Sequence, residues 1–205
     1  VLAFMLAAWG MLWNSLVWAV KKTLRYSEGL FRNRNNRKVF LKKWYRHYAA
    51  GKIFVYVDES GFAHSSAREY GYAAIGKKVY GVCSGHTRPR TSLIAARIGK
   101  ALAATMLFAG TCNASIFNAW LENELCKILK PNMVVIMDNA AFHKSEKTKE
   151  LIQNTGAELL FLPPYSPDLN PIENSFGTIK KNRSNYPNIP LEQIINMYEN
   201  YSEWV

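Results

Sequence analysis

Residues 132–142 read NMVVIMDNAAF. The unbroken apolar run Met133–Met137 ends at Asp138, the pattern of a strand buried on both faces. Residues 52–62, KIFVYVDESGF, repeat the arrangement: apolar and aromatic residues from Ile53 to Val57, then Asp58. AELLFLPPY (157–165) reads as a third buried strand. Between the last two lies SEKTKELIQNTG (145–156), a helix with Ser145 as N-cap and Gly156 at its end.

Outward from these strands, three glycine-punctuated runs read as an antiparallel meander: REYGYAAIG (68–76), KKVYGVCSG (77–85) and TSLIAARIG (91–99). ALAATMLFAGTCN (101–113) adds a further strand. ASIFNAWLENELCKIL (114–129) is an amphipathic helix stopped by Pro131. NPIENSFGTIKKN (170–182) and LEQIINMYENYSEW (191–204) are the closing helices. Strands first, then strand–helix–strand–helix, predicts one α/β domain over residues 50–205, a mixed sheet with helices on its faces.

Charge is concentrated before that domain. Residues 21–46 hold ten Lys and Arg against one acid, Glu28, which is +9 of the chain's +11. Such a block suits a phosphate backbone, whose counterions it would release; a solvated basic helix has the same composition. Lys21, Lys22, Arg25, Arg32, Arg34, Arg37 and Lys38 are the candidate DNA contacts of this basic segment, residues 21–49. Residues 1–20 carry no charge and are long enough to span a bilayer, but no basic segment precedes them as in a signal peptide. Cys83, Cys112 and Cys126 lack CxxC spacing and read as reduced thiols of an intracellular protein.

The chemistry is expected at the strand ends. Asp58 and Asp138 both sit where a buried strand reaches the sheet rim, the usual place for ligand and catalytic groups in α/β sheets. A lone Asp there serves as a turn residue; two close together need a cation. A third carboxylate, Glu173, follows the proline-rich LPPYSPDLNP (162–171). Locally, Asn170 and Pro171 predict a helix start with Glu173 as a capping-box partner. Against that, Ile172, Phe176 and Ile179 form the buried stripe, Gly177 leaves the Glu173 face bare, and Lys180 lies two turns along it. Three carboxylates on a polar rim make a hard-oxygen site for Mg²⁺ or Mn²⁺, not zinc. Phosphodiester cleavage by two ions is the chemistry that needs such a site, with Asp58 bridging and Asp138 and Glu173 each completing one ion.

VYVDESGF (55–62), VVIMDNAAFHKS (134–145) and LLFLPPYSPDLNPIENSFGTIKK (159–181) resemble the DDE transposases of bacterial insertion sequences in the mariner-like superfamily. The thirty-four residues between Asp138 and Glu173 match that family's interval. The resemblance implies an RNase H-like fold, a mixed five-stranded sheet flanked by helices, with two Mg²⁺ ions that Mn²⁺ can replace. It implies DNA nicking at element ends followed by strand transfer, and carries the catalytic triad onto Asp58, Asp138 and Glu173. Asn139 and His143 fall on polar positions beside the second Asp. The partners implied are double-stranded DNA (terminal inverted repeats and target) and a second copy on that DNA; the setting is the bacterial cytoplasm, at the nucleoid.

By the resemblance, the family's N-terminal recognition region is expected to be nearly all absent from this sequence. Residues 1–20 are therefore expected to be its apolar remnant and not a membrane anchor, and a binding relic that no longer cuts is the alternative. An RNA–DNA hybrid nuclease would share the fold. Arg88, Arg90, Lys180 and Lys181 are further candidate DNA contacts. Glu59, pointing opposite to Asp58, is expected in a salt bridge or at the surface, and Asp168 as a turn cap.

Overall fold

The computed structural model describes residues 34–62, 77, 78, 80 and 90–202. Its strands are β1 (Ile53–Phe62), β2 (Thr91–Ile98), β3 (Ala101–Ala109), β4 (Met133–Met137) and β5 (Glu158–Phe161). They form one sheet in the order β3-β2-β1-β4-β5. β1, β2 and β3 pair antiparallel, whereas β4 joins β1, and β5 joins β4, in parallel. The mixed five-stranded sheet is the one expected. Of the predicted meander only the run at 91–99 is seen as a strand; 68–76 lies outside the described residues, as does 77–85 apart from Lys77, Lys78 and Tyr80.

The helices are α1 (Arg34–Ala49), α2 (Ala114–Trp120), α3 (Glu146–Asn154), α4 (Ile172–Asn185) and α5 (Leu191–Ser202). α2 runs on through a π-helical turn, Leu121–Leu125, into Cys126–Ile128. α2 and α3 cover one face, where Phe117, Trp120, Leu121, Leu125 and Ile152 bury Val55, Val57, Val135 and Met137. On the other face Ile172, Phe176 and Ile179 of α4 and Ile194 of α5 lie against Phe62, Leu93 and Ala95. This is the period of two along each strand: odd residues of β1 meet α2, even ones meet α4.

α1 shares that second face. Phe40, 5% exposed, seats on Val134, Ile136, Leu160 and Leu162, and Trp44 stacks on Phe54 with centroids 4.8 Å apart. The basic helix is thus docked on the sheet by an apolar edge, while Arg34, Lys38, Lys42, Lys43 and Arg46 stay exposed.

Two expectations need correction. Asp58 does not end its strand, because β1 runs on to Phe62 and Asp58 pairs with Ala95 of β2. β5 is not buried on both faces: Glu158 is exposed and of its four residues only Leu160 is buried, because β5 is the sheet edge. The β2–β3 ladder is also irregular, shifting register between Ile94 and Ala96. Ala104 there takes a positive φ of 50°, and its carbonyl accepts the Trp120 indole N–H at 2.6 Å, so the bulge leaves no orphan acceptor at that position. Among the described residues no helix is long and apolar enough to cross a membrane; residues 1–20 lie outside them.

Candidate active site

β1 and β4 are neighbouring parallel strands in which Val55 pairs with Val135 and Tyr56 with Ile136. Past the last of these pairs, Asp58 and Asp138 lie close enough for their charges to interact. Asp58 leaves on the α4 face by strand alternation, whereas Asp138 follows β4 directly. α4 brings Glu173 to the same place, anchored through buried Ile172, Phe176 and Ile179. Asp58, Asp138 and Glu173 line one groove of about 460 Å³, with Asn139, Pro163, Pro164, Tyr165 and Asn170 among its other walls. A Cβ added at Gly177 would meet nothing within 4 Å, so this side of α4 is bare as expected.

The acids differ electrostatically. Burial pushes the Asp58 carboxyl up to about 7; the Glu59 N–H at 2.8 Å opposes this, and the charges of Glu59, Glu173 and Asp138 add to it. Asp138 is held below the usual carboxylate range, first by its hydrogen bond with His143 Nδ1 at 2.6 Å and also by the Ala140 N–H at 2.8 Å. His143 is fully buried, and its Nε2 lies 2.9 Å from Oε1 of Glu59. Burial alone would lower the imidazole pKa, yet the carboxylates at its two nitrogens together push it up to about 9. Glu173 is exposed and its side chain makes no hydrogen bond or ion pair with the described residues.

The proline stretch is held at several points. Asn139 donates its amide to the Leu162 carbonyl, and Ser166 Oγ donates to the Pro164 carbonyl at 3.1 Å. Tyr165 sits at φ 51° with its side chain 60% exposed at the groove rim. A non-glycine residue there costs on the order of 1 kcal/mol and persists only where the surroundings impose it. Arg37 of α1 grips Asp168 with both guanidinium nitrogens, at 2.9 and 2.6 Å. Arg97 of β2 donates to the Pro171 carbonyl at 2.5 Å and to Ser175 Oγ at 3.0 Å, tying the first turn of α4 to the sheet.

Several sequence expectations change here. Asn170 does not cap α4: its Nδ2 donates to Oδ2 of Asp58 at 3.0 Å, and Pro171 occupies the cap position without a side-chain bond. No capping box forms, so Glu173 remains turned to the groove. Glu59 does make the expected ion pair, but at the site, to His143. Asp168 pairs with Arg37, whose fork is engaged within the protein. Lys180 does not line the groove; its ammonium lies 5.7 Å above the Phe62 ring. Lys181, Arg34 and Lys38 are exposed, and Arg90 lies across Gly61 of β1, where an added Cβ would collide with its guanidinium. Lys21, Lys22, Arg25, Arg32 and Arg88 lie outside the described residues. Sequence reasoning missed Asn170 because its position before Pro171 has a sufficient local explanation.

Among the described residues, no three or more His, Cys, Asp or Glu side chains converge closely enough to hold one ion. The three acids face a shared groove, with Asp58 in the middle of their mutual repulsion.

Known proteins share this arrangement of strands and helices. The pre-cleavage Mos1 transpososome is similar over 91% of this chain and 66% of its own, at 17% identity and a TM-score of 0.61. The Mos1 strand transfer complex is similar over 95% and 68%, at 19% identity and TM-score 0.61. The Mos1 mariner paired end complex with Mn is similar over 96% and 68%, at 18% identity and TM-score 0.61. These likenesses establish the RNase H-like fold, and the chain spans about two thirds of the length of those proteins. No curated protein matches the sequence. The sequence model described as DDE superfamily endonuclease matches residues 53–194, well over half of the chain and all three groove carboxylates, and the chain belongs to that family.

Proposed function

We propose that this chain is a divalent-metal-dependent DNA transposase domain whose catalytic residues and metal ligands are Asp58, Asp138 and Glu173. The observation that carries the reading is the meeting of these acids, from β1, the end of β4 and the first turn of α4, in one open groove. The residues fit hard cations on two grounds. Asp58 is buried among like charges that a cation would relieve, and a buried acceptor beside it, Oδ1 of Asn170, has no partner among the described residues. Asp58, Asp138 and Glu173 would hold the Mg²⁺ or Mn²⁺ ions.

When bound, the ions would supply a nucleophile at neutral pH and offset charge developing on phosphate. The protein's own part is positional. His143 keeps Asp138 ionised and orients it through the Nδ1 hydrogen bond, while its Nε2 is held by Glu59. The proline stretch, clamped through Asn139 and Asp168, brings α4 and Glu173 to the rim. Exposed Arg34, Lys38, Lys42 and Lys43 of α1 and Lys181 of α4 would meet backbone phosphates. Water attacks the phosphorus of a strand and the P–O3′ bond breaks, leaving a 3′-hydroxyl and a 5′-phosphate. That 3′-hydroxyl then attacks a target phosphodiester; one P–O bond forms as another breaks, and no energy source is consumed. The DNA would be element ends and target, held by a pair of chains in the nucleoid of a bacterium; the similar Mos1 mariner structure is itself a paired end complex.

Pure protein should nick supercoiled plasmid only with Mg²⁺ or Mn²⁺, and Asp138→Asn should abolish this. Nicking that persists unchanged in the variant would refute the assignment. One observation favours the alternative of a binding relic: no three candidate ligands converge on one point among the described residues. A chain that retains salt-dependent DNA binding but never nicks, with either ion, would establish that reading instead.

A further inference from the structure

Asn170 stands 3% exposed in the wall of the carboxylate groove. Its carboxamide is divided between two jobs. Nδ2 donates to Oδ2 of Asp58 at 3.0 Å, while Oδ1, sealed from solvent, has no hydrogen-bond partner among the described residues. The NH₂ thus faces Asp58, whose Oδ2 accepts, and the carbonyl is turned away from it. The Asn170 main-chain carbonyl also accepts the Glu173 N–H at 3.2 Å. One residue therefore touches Asp58 with its side chain and the first turn of Glu173's helix with its backbone. A helix cap does not explain this side chain, since it makes no cap bond. Buried carbonyls are rarely left unpaired unless a ligand or ordered water brings the donor.

We propose that Asn170 is a positioning residue of the metal site: through the Nδ2 hydrogen bond it holds Asp58 in its ligating rotamer. The inference rests on the metal-binding reading of the three carboxylates. Outer-shell partners of this kind are commonly as important to metal affinity as the ligands they orient.

The test is Mn²⁺ binding to the purified full chain without DNA, followed by calorimetry and by the electron paramagnetic resonance of the free ion. Asn170→Leu keeps the side-chain volume and removes both polar groups; Asn170→Ala removes both and the volume. Each is expected to weaken Mn²⁺ binding roughly 10- to 100-fold. The metal-free unfolding midpoint should stay near that of wild type, a separation that a merely structural Asn would not produce. Binding within twofold of wild type by either folded variant overturns the proposal. So does failure of both variants to fold, which would make Asn170 a packing residue. Asp58→Asn separates the two readings: if wild type does not bind Mn²⁺, or this variant binds it equally well, the metal site itself is wrong and not only the role of Asn170.

Discussion

The Nδ1 of His143 lies 2.6 Å from Oδ1 of Asp138, and its Nε2 lies 2.9 Å from Oε1 of Glu59. A fully buried imidazolium thus joins the loop after β4 to the middle of β1 and leaves Asp138 anionic at the groove. Charge-assisted bonds of this sort are short and directional, which suits a group that must not rotate.

His143→Ala should therefore destabilise the fold by ~2–3 kcal/mol, less than a wholly buried pair because Asp138 is half exposed. The pH dependence has a defined sign. With the folded pKa raised to about 9, the pair's contribution is complete below the ordinary histidine value and lost as pH rises through about 9. Urea titrations of wild type across that window should show falling stability, and the Ala variant should lack that fall.

Asp58 works in the other direction. Its carboxyl, raised to about 7, binds a proton in the folded state that the unfolded chain has already released, so stability falls as pH rises from the ordinary Asp value to about 7. Asp58→Asn should stabilise the metal-free protein at pH above 7 by ~1–3 kcal/mol while removing nicking. Mg²⁺ should raise the wild-type unfolding midpoint more at pH 8 than at pH 5.5. Thermal melts with and without Mg²⁺ check both outcomes, and an equal shift at the two pH values would contradict them.

The Arg37–Asp168 clamp joins α1 to the turn that precedes Glu173. Asp168 is 61% exposed at its side chain, so solvent screening keeps the pair's coupling near ~0.5 kcal/mol in a double-mutant cycle. Its effect on nicking should be larger than on stability: Arg37→Ala should reduce kcat several-fold by freeing the turn, with Lys only partly restoring it since it cannot grip with two nitrogens.

Phe40→Ala should cost ~3 kcal/mol, because a nearly fully buried ring is removed from between α1 and β4. A cost near zero in chemical denaturation would mean that α1 is an appendage and not part of the folded body. Replacing exposed Lys38, Lys42 and Lys43 should leave that stability intact but flatten the dependence of log K on log salt, by about 0.9 for each phosphate that is no longer neutralised.

Much of this architecture is legible without coordinates. The unbroken apolar run Met133–Met137 is a strand buried throughout, with Asp138 directly after it; Ile53–Val57 is also a strand, but β1 runs on to Phe62, so Asp58 lies inside it and Ile53 is exposed. The stripe Ile172, Phe176, Ile179 likewise shows which side of α4 is buried, and hence that Glu173 is not. β5 misleads because LLFL is apolar enough for a central strand, whereas its place at the edge depends on strand order, which periodicity does not encode.

The sequence by itself determined the apolar runs that lead into Asp58 and Asp138, the helix that carries Glu173 and the basic character of α1, since these depend on local pattern and composition. Only the tertiary structure decided that Asn170 serves Asp58 and not a helix cap, that Glu59 and Asp138 share His143, and that Arg37 binds Asp168. Those partners are separated by 112, 84 and 131 residues for the Asn170, Glu59 and Arg37 bonds respectively. A hydrogen bond depends on where donor and acceptor meet in space, and at such separations that is set by how the strands and helices pack.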